Sequence, residues 1–123
     1  MKVKEMIARV DEIRPNAFTE DTKLGWMQEL FAKVKEEVWD THEDIRAEDL
    51  YVKYSKKEDV ITEESEIKIP GSHLDFVEYY LMGKIDLANT DYERYSNSLV
   101  LFNGAYLNYR QWYNRNYMPK EVI

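Results

Sequence analysis

Residues 72–117 read SHLDFVEYYLMGKIDLANTDYERYSNSLVLFNGAYLNYRQWYNRNY. Apolar and aromatic residues recur at 74, 77, 81, 85 and 88, then at 92, 95, 99, 102, 106, 109 and 113. That alternating three-and-four spacing is the seam of two helices. A reversal near Asn89 and Thr90 makes positions that sum to about 180 face each other in an antiparallel pair. Ala88 then meets Tyr92, Ile85 meets Tyr95, Leu81 meets Leu99, Val77 meets Phe102 and Leu74 meets Tyr106. The pattern predicts a helical hairpin whose second helix outruns the first, because the aromatic period continues past residue 108. Ser72 with Asp75, and Thr90 with Glu93, have capping-box spacing and predict the two helix starts.

Working outward, Pro70-Gly71 separates the hairpin from residues 40–69, where the helical period is lost. Leu50-Tyr51-Val52-Lys53-Tyr54 and Glu66-Ile67-Lys68-Ile69 are rich in β-branched and aromatic residues and predict a short β or extended arm over 50–69. The run SKKEDVITEES between them reads as a charged loop. Before the arm, Val3, Met6, Ile7, Val10 and Ile13 share one face of a helix over 2–14 that ends at Pro15. Thr19 is a good N-cap for a second helix, with Glu20 and Asp21 in its first turn. Leu24, Met27, Leu30, Phe31, Val34 and Val38 form the buried stripe of that helix, with Trp26 on its flank.

The expectation is one mainly α domain over 1–123: a helix pair over 1–39, an acidic arm over 40–69, the hairpin over 72–117 and a tail over 118–123. A chain of 123 residues buries enough surface to fold alone.

The net charge is −7, from 17 Lys+Arg and 24 Asp+Glu. The excess is local: residues 40–66 hold 4 basic and 10 acidic side chains, whereas 67–123 hold 6 of each. That balance argues against a general nucleic-acid binder, which gains affinity by neutralising phosphates. With no Cys, disulfides and thiolate chemistry are excluded. No apolar run reaches the roughly 18 residues of a membrane span, and the amphipathic start is unlike a signal peptide. A soluble protein made inside the cell is expected.

Chemistry-bearing motifs are sparse. His42 in THED and His73 in SHLD lie beside carboxylates but lack a ligand spacing such as two His four apart, so they read as structural, solvent-facing residues near helix ends. The carboxylate groups Glu36-Glu37, Asp40 with Glu43-Asp44, and Glu63-Glu64 lack the alternating ligands and central Gly of a calcium loop. No GxSxG, Walker or GxGxxG motif occurs among the four Gly. Neither an enzyme nor a cofactor or metal site is expected. Gly25, Gly83 and Gly104 fall inside helices, where close helix approach is the usual compensation.

The aromatic residues stand apart. Of the ten Tyr, eight lie between 79 and 117. The fourth helix also carries a second stripe of Leu101, Ala105 and Trp112, with Val100 and Leu107 on yet another side. A helix apolar over so much of its circumference needs cover from several directions, part of it from another chain. Leu101, Tyr109, Arg110, Trp112, Tyr113, Arg115 and Tyr117 are the candidate interface residues, of the types enriched at hot spots. The competing reading packs the overhang against the first two helices.

The run LDFVEYYLMGKIDLANTDYERYSNSLVLFNGAYLNYRQWYNR after Ile69-Pro70, together with NAFTEDTKLGWMQELFAKVKEEVW, resembles the head-tail connector, or adaptor, proteins of tailed phages and Firmicutes prophages. The likeness covers roughly residues 16–39 and 69–117 and is a packing pattern without a catalytic motif. It implies a four-helix connector-like subunit, made in the bacterial cytoplasm and placed at the virion head-tail junction. Such a subunit forms a ring with copies of itself on the portal protein and extends the DNA channel. It receives a stopper or tail-completion protein and meets packaged DNA only in passing. A C-terminal helical extension engaging the portal would map onto Tyr109 to Tyr117 and the tail. The alternative is a small prophage-encoded helical regulatory or metal-binding protein using the acidic segment.

Overall fold

The computed structural model of the chain describes residues 1–43 and 61–119. Among the described residues there are four α-helices, α1 (Val3–Ile13), α2 (Glu20–Val34), α3 (Asp75–Ala88) and α4 (Tyr92–Asn116). A π-helical turn, Lys35–Trp39, extends α2, and a 3-10 turn, Gly71–His73, precedes α3. His42–Glu43 (β1) and Met118–Pro119 (β2) form a two-residue antiparallel pairing, with His42 opposite Pro119. The protein is mainly α and ends in a long helical hairpin, as the sequence predicts. No helix of the described residues is long and apolar enough to cross a membrane.

α1 and α2 follow their predicted stripes. Val3, Met6, Ile7 and Val10 are buried, while Ile13 at the helix end is 50% exposed because the chain turns away at Arg14 and Pro15. Thr19 caps α2 by accepting from the Thr22 amide at 3.2 Å. The buried set Met27, Leu30, Phe31 and Val34 continues into Val38 and Trp39. Two neighbours both reach the core because the π turn, in which the Asp40 amide bonds the Lys35 carbonyl, inserts an extra residue. Lys23, absent from the predicted stripe, is buried and paired with Asp11 at 2.7 Å.

The hairpin keeps the predicted register but is rotated. Phe76 of α3 stacks near Tyr106 at 5.3 Å between ring centroids, Tyr80 near Phe102 at 5.5 Å, and a Cβ on Gly83 would lie 3.6 Å from Ser98 Cβ. All three pairs sum to close to 180. The seam of α4 nevertheless runs through Ser98, Phe102, Ala105, Tyr106, Tyr109 and Tyr113, with Leu99 at its rim and Tyr92 65% exposed. Asp86 explains the rotation. It is buried, and it accepts a hydrogen bond from the Ser98 hydroxyl at 3.0 Å. A buried carboxylate needs such a partner, so Ser98 occupies the seam and Leu99 is turned outward.

The helix starts are also corrected. Ser72 provides no side-chain cap, and the 3-10 turn feeds α3 directly. Asp91, and not Thr90, caps α4 through the Arg94 amide at 3.2 Å. Thr90 takes the left-handed turn position, φ 57°.

The expected arm is only partly visible. The predicted strand at 50–54 and the first part of the charged loop, 55–60, lie outside the described residues. Residues 61–69 cross the start of α1, turning at Glu63-Glu64, where the Ser65 amide bonds the Thr62 carbonyl at 3.0 Å, with Ile61, Ile67 and Ile69 buried. Ser65, Ile67 and Ile69 alternate inward as in a strand, yet among the described residues the one bridge of this segment pairs Glu66 with Lys2. The neighbour is a helix N-terminus, which needs acceptors more than a ladder. The Val3 and Lys4 amides find them in the Ser65 and Glu63 carbonyls, both at 2.9 Å.

Asp86 also lies 3.5 Å from Arg14 Nε of the α1 terminus, so one carboxylate joins three helices. Replacing Asp86 with Ala strands Arg14 and Ser98 in the interior. The expected cost is about 3 kcal/mol, read as a lower urea midpoint at unchanged slope.

Candidate protein interface on the C-terminal helix

α4 exceeds α3 by 11 residues (25 against 14), and the Tyr109–Tyr113 face of its C-terminal third is covered from within the chain. Tyr109 is 1% exposed and its ring lies 5.0 Å from Phe76. Its hydroxyl accepts a hydrogen bond from Trp39 Nε1 at 3.1 Å. Tyr113 is buried against the His42 ring, 4.8 Å away. The half-buried rings of Trp112 and Tyr117 lie 6.0 Å apart, edge to face. The overhang expected beyond Ser72 is therefore packed. The π turn, β1 and the 3-10 turn do what α3 is too short to do. Of the seven candidate interface residues, Tyr109 and Tyr113 are core. Trp112 and Tyr117 are half-buried, and Leu101, Arg110 and Arg115 are exposed.

His42 is not solvent-facing. It is buried, its Nδ1 bonds the Val38 carbonyl at 2.7 Å, and its Nε2 lies 2.6 Å from Asn114 Oδ1. With both nitrogens engaged inside the chain, neither is directed at an open site. His73 is half-buried against Tyr109 and Trp112, at 5.7 and 5.2 Å between centroids. Among the described residues no group of three or more His, Cys, Asp or Glu is placed to hold a metal ion. Of the acidic pairs, Glu37 accepts from the Tyr106 hydroxyl at 2.6 Å, and Glu64 bridges Lys2 and Lys4 at 3.0 and 2.7 Å. Asp44 lies outside the described residues.

The outward side of α4 is different. From Tyr95 to Tyr109 there is no charged residue, in a chain that is one-third charged. The exposed positions of this stretch include Leu101 at 49%, Leu107 at 53% and Val100 at 70%. Val100 and Leu107 are seven residues apart, so they lie on one stripe directly opposite the buried seam. Leu99 and Leu87 flank an open groove of about 260 Å³ between α3 and α4, with Lys33 and Lys84 at its edge. Ser96, Asn97, Asn103 and Asn108 are exposed on the same stretch, so the face is uncharged and mixes aliphatic side chains with amides, and depletion of charge is a feature of interface cores. The sequence pattern identified Val100, Leu101 and Leu107 as needing cover. It missed that the glycine between them is open, since a Cβ on Gly104 would meet nothing within 4 Å.

No family model, curated protein or solved structure matches the chain.

The Tyr106–Glu37 bond anchors α4 to the π turn and is sensitive to pH from both sides. Burial pushes Glu37 upward, but the Tyr106 hydroxyl and the nearby Lys33 and Arg110 overcome it and hold the carboxyl below its usual range. Burial first, then Glu37, pushes the Tyr106 hydroxyl well above its ordinary value of 10. A depressed carboxyl contributes stability that is lost as pH falls through its folded pKa. A raised phenol contributes stability that is lost as pH rises above about 10. Tyr106→Phe is expected to cost about 1 kcal/mol at neutral pH and to flatten both the acid and the alkaline limb of a melting-temperature profile. Retention of both limbs would show that the bond does not form in solution.

Proposed function

We propose that the chain is a structural assembly subunit, and specifically a head-tail connector of a tailed phage that joins with its own copies in a ring on the portal. The observation that carries the reading is the uncharged outer face of α4, on which Val100, Leu101 and Leu107 stand exposed among Ser96, Asn97, Asn103 and Asn108. A chain of net charge −7 gains nothing as a monomer by exposing Val100, Leu101 and Leu107 together, and covering them is a favourable contact for a neighbour. The resemblance of residues 16–39 and 69–117 to connector proteins supplies the particular assembly. The mainly helical fold with a long terminal hairpin agrees with it. Arg110, Arg115 and the half-buried rings of Trp112 and Tyr117 are the part of the overhang left for the portal. The function is mechanical: the ring extends the channel, passes DNA without sequence-specific contact and presents its far side to a stopper or tail-completion protein.

Light scattering of the full chain, alone and with the cognate portal ring, tests this. A stoichiometric complex heavier than the portal by several subunits is expected. Absence of any complex and of any higher oligomer under both conditions would sink the proposal.

A further inference from the structure

We infer that, before assembly, α4 pairs antiparallel with α4 of a second copy about a two-fold axis beside Gly104, so that the free protein conceals its assembly face in a weak dimer. The inference rests on the reading of that face as an assembly surface and adds its partner, geometry and regulation.

Gly104 is the first observation. It sits in the middle of a 25-residue helix, where glycine is the least favourable ordinary residue. Gly83 has a compensation inside the chain, in its close approach to Ser98, but Gly104 has none within 4 Å. Gly25 is equally open, yet Asp21 and Glu29, one turn to either side of it, are charged. Gly104 has Val100 and Leu101 one turn before it and Leu107 and Asn108 one turn after. A second helix can come close at Gly104 over uncharged neighbours.

Charge placement selects the occupant and its direction. The neutral stretch is bracketed on the same outer side by Glu93 in the first turn of α4 and Arg115 in the last. Both are exposed, and neither makes an ion pair among the described residues. In an antiparallel pair about Gly104, Glu93 of each copy lies beside Arg115 of the other, and the helix ends meet with opposite dipole signs. A parallel pair would set Glu93 against Glu93 and Arg115 against Arg115. Gly104 is the midpoint of Tyr92–Asn116, so the two-fold overlays the helices along their whole length. It also sets Val100 of each copy against Leu107 of the other. Such a face is self-complementary, as an isologous contact requires.

Size sets the strength. The stripe from Glu93 to Arg115 is about 33 Å long at 1.5 Å per residue and roughly 10 Å wide. Two copies bury on the order of 700 Å² together, under the roughly 1,200 Å² at which stable interfaces begin. The dimer therefore dissociates readily, which lets a multivalent portal ring displace it.

The absence of Cys makes single-cysteine variants clean probes. Under mild oxidation Gly104→Cys is expected to form at least tenfold more disulfide-linked dimer than Gly25→Cys. Val100→Cys and Leu107→Cys are expected to crosslink poorly alone and well when mixed. In sedimentation, Gly104→Ala is expected to weaken self-association at least tenfold while raising the melting temperature of the dilute monomer, a pair of opposite signs that a purely structural glycine does not give. If Gly104→Cys crosslinks no better than Gly25→Cys while association persists and Val100→Lys abolishes it, the two-fold pairing is overturned and the assembly reading stands. If the chain associates neither with itself nor with the portal, both are overturned.

Discussion

The hydrogen bond from Trp39 Nε1 to the Tyr109 hydroxyl, 3.1 Å long and fully inside the core, is the constraint on which the arrangement of the rest depends. Both groups are large aromatics whose polar ends must be satisfied once buried, and each is the other's solution. Trp39 reaches Tyr109 only because the π turn adds a residue at the end of α2, and Tyr109 is available only because α4 continues past the end of its hairpin partner. One buried contact thus fixes the N-terminal helix pair against the hairpin. Around it the rings of Phe76, Phe102, Tyr106 and Tyr113 fill the space between the two halves, with centroid spacings of 5 to 6.4 Å. This layer lies behind the exposed face of α4 without contributing to it.

Much of this was legible in the residues. The hairpin and its register follow from helical spacing, because apolar periodicity reports directly on what must be buried. Its rotation was not legible, since it is set by a polar residue. A stripe count has no reason to prefer Ser98 to Leu99 until Asp86 is known to be buried opposite it. The same limitation hid Lys23, whose burial depends on Asp11 of another helix. Gly83 and Gly104 look alike in sequence and differ wholly in space. The covering of the C-terminal aromatics was an open choice for the opposite reason: Tyr, Trp and Arg are enriched at interfaces, but a π turn that delivers Trp39 to Tyr109 leaves no mark in a 3.6-residue period.

α4 has a buried face and an exposed one. Tyr109 and Tyr113, first candidates for contact with another chain, stabilise the monomer. Val100 and Leu107 are largely exposed, and Gly104 is open to solvent. An exposed mid-helix glycine between two exposed aliphatic residues lowers the stability of the isolated chain through both helix propensity and hydration. The proposed contact with a second copy would offset such a cost.

Charge placement bears on where the proposed contact would form. Over most of its described surface the chain presents acidic or mixed charges, and two copies meeting there must desolvate ions or oppose like charges within a Debye length of about 8 Å. The outer face of α4 is neutral for four turns and bounded by charges of opposite sign at its two ends. In the proposed dimer, repulsion elsewhere would act as a specificity device by disfavouring other approaches. A face so bounded distinguishes direction as well as position, because reversing one helix exchanges two attractive ends for two repulsive ones.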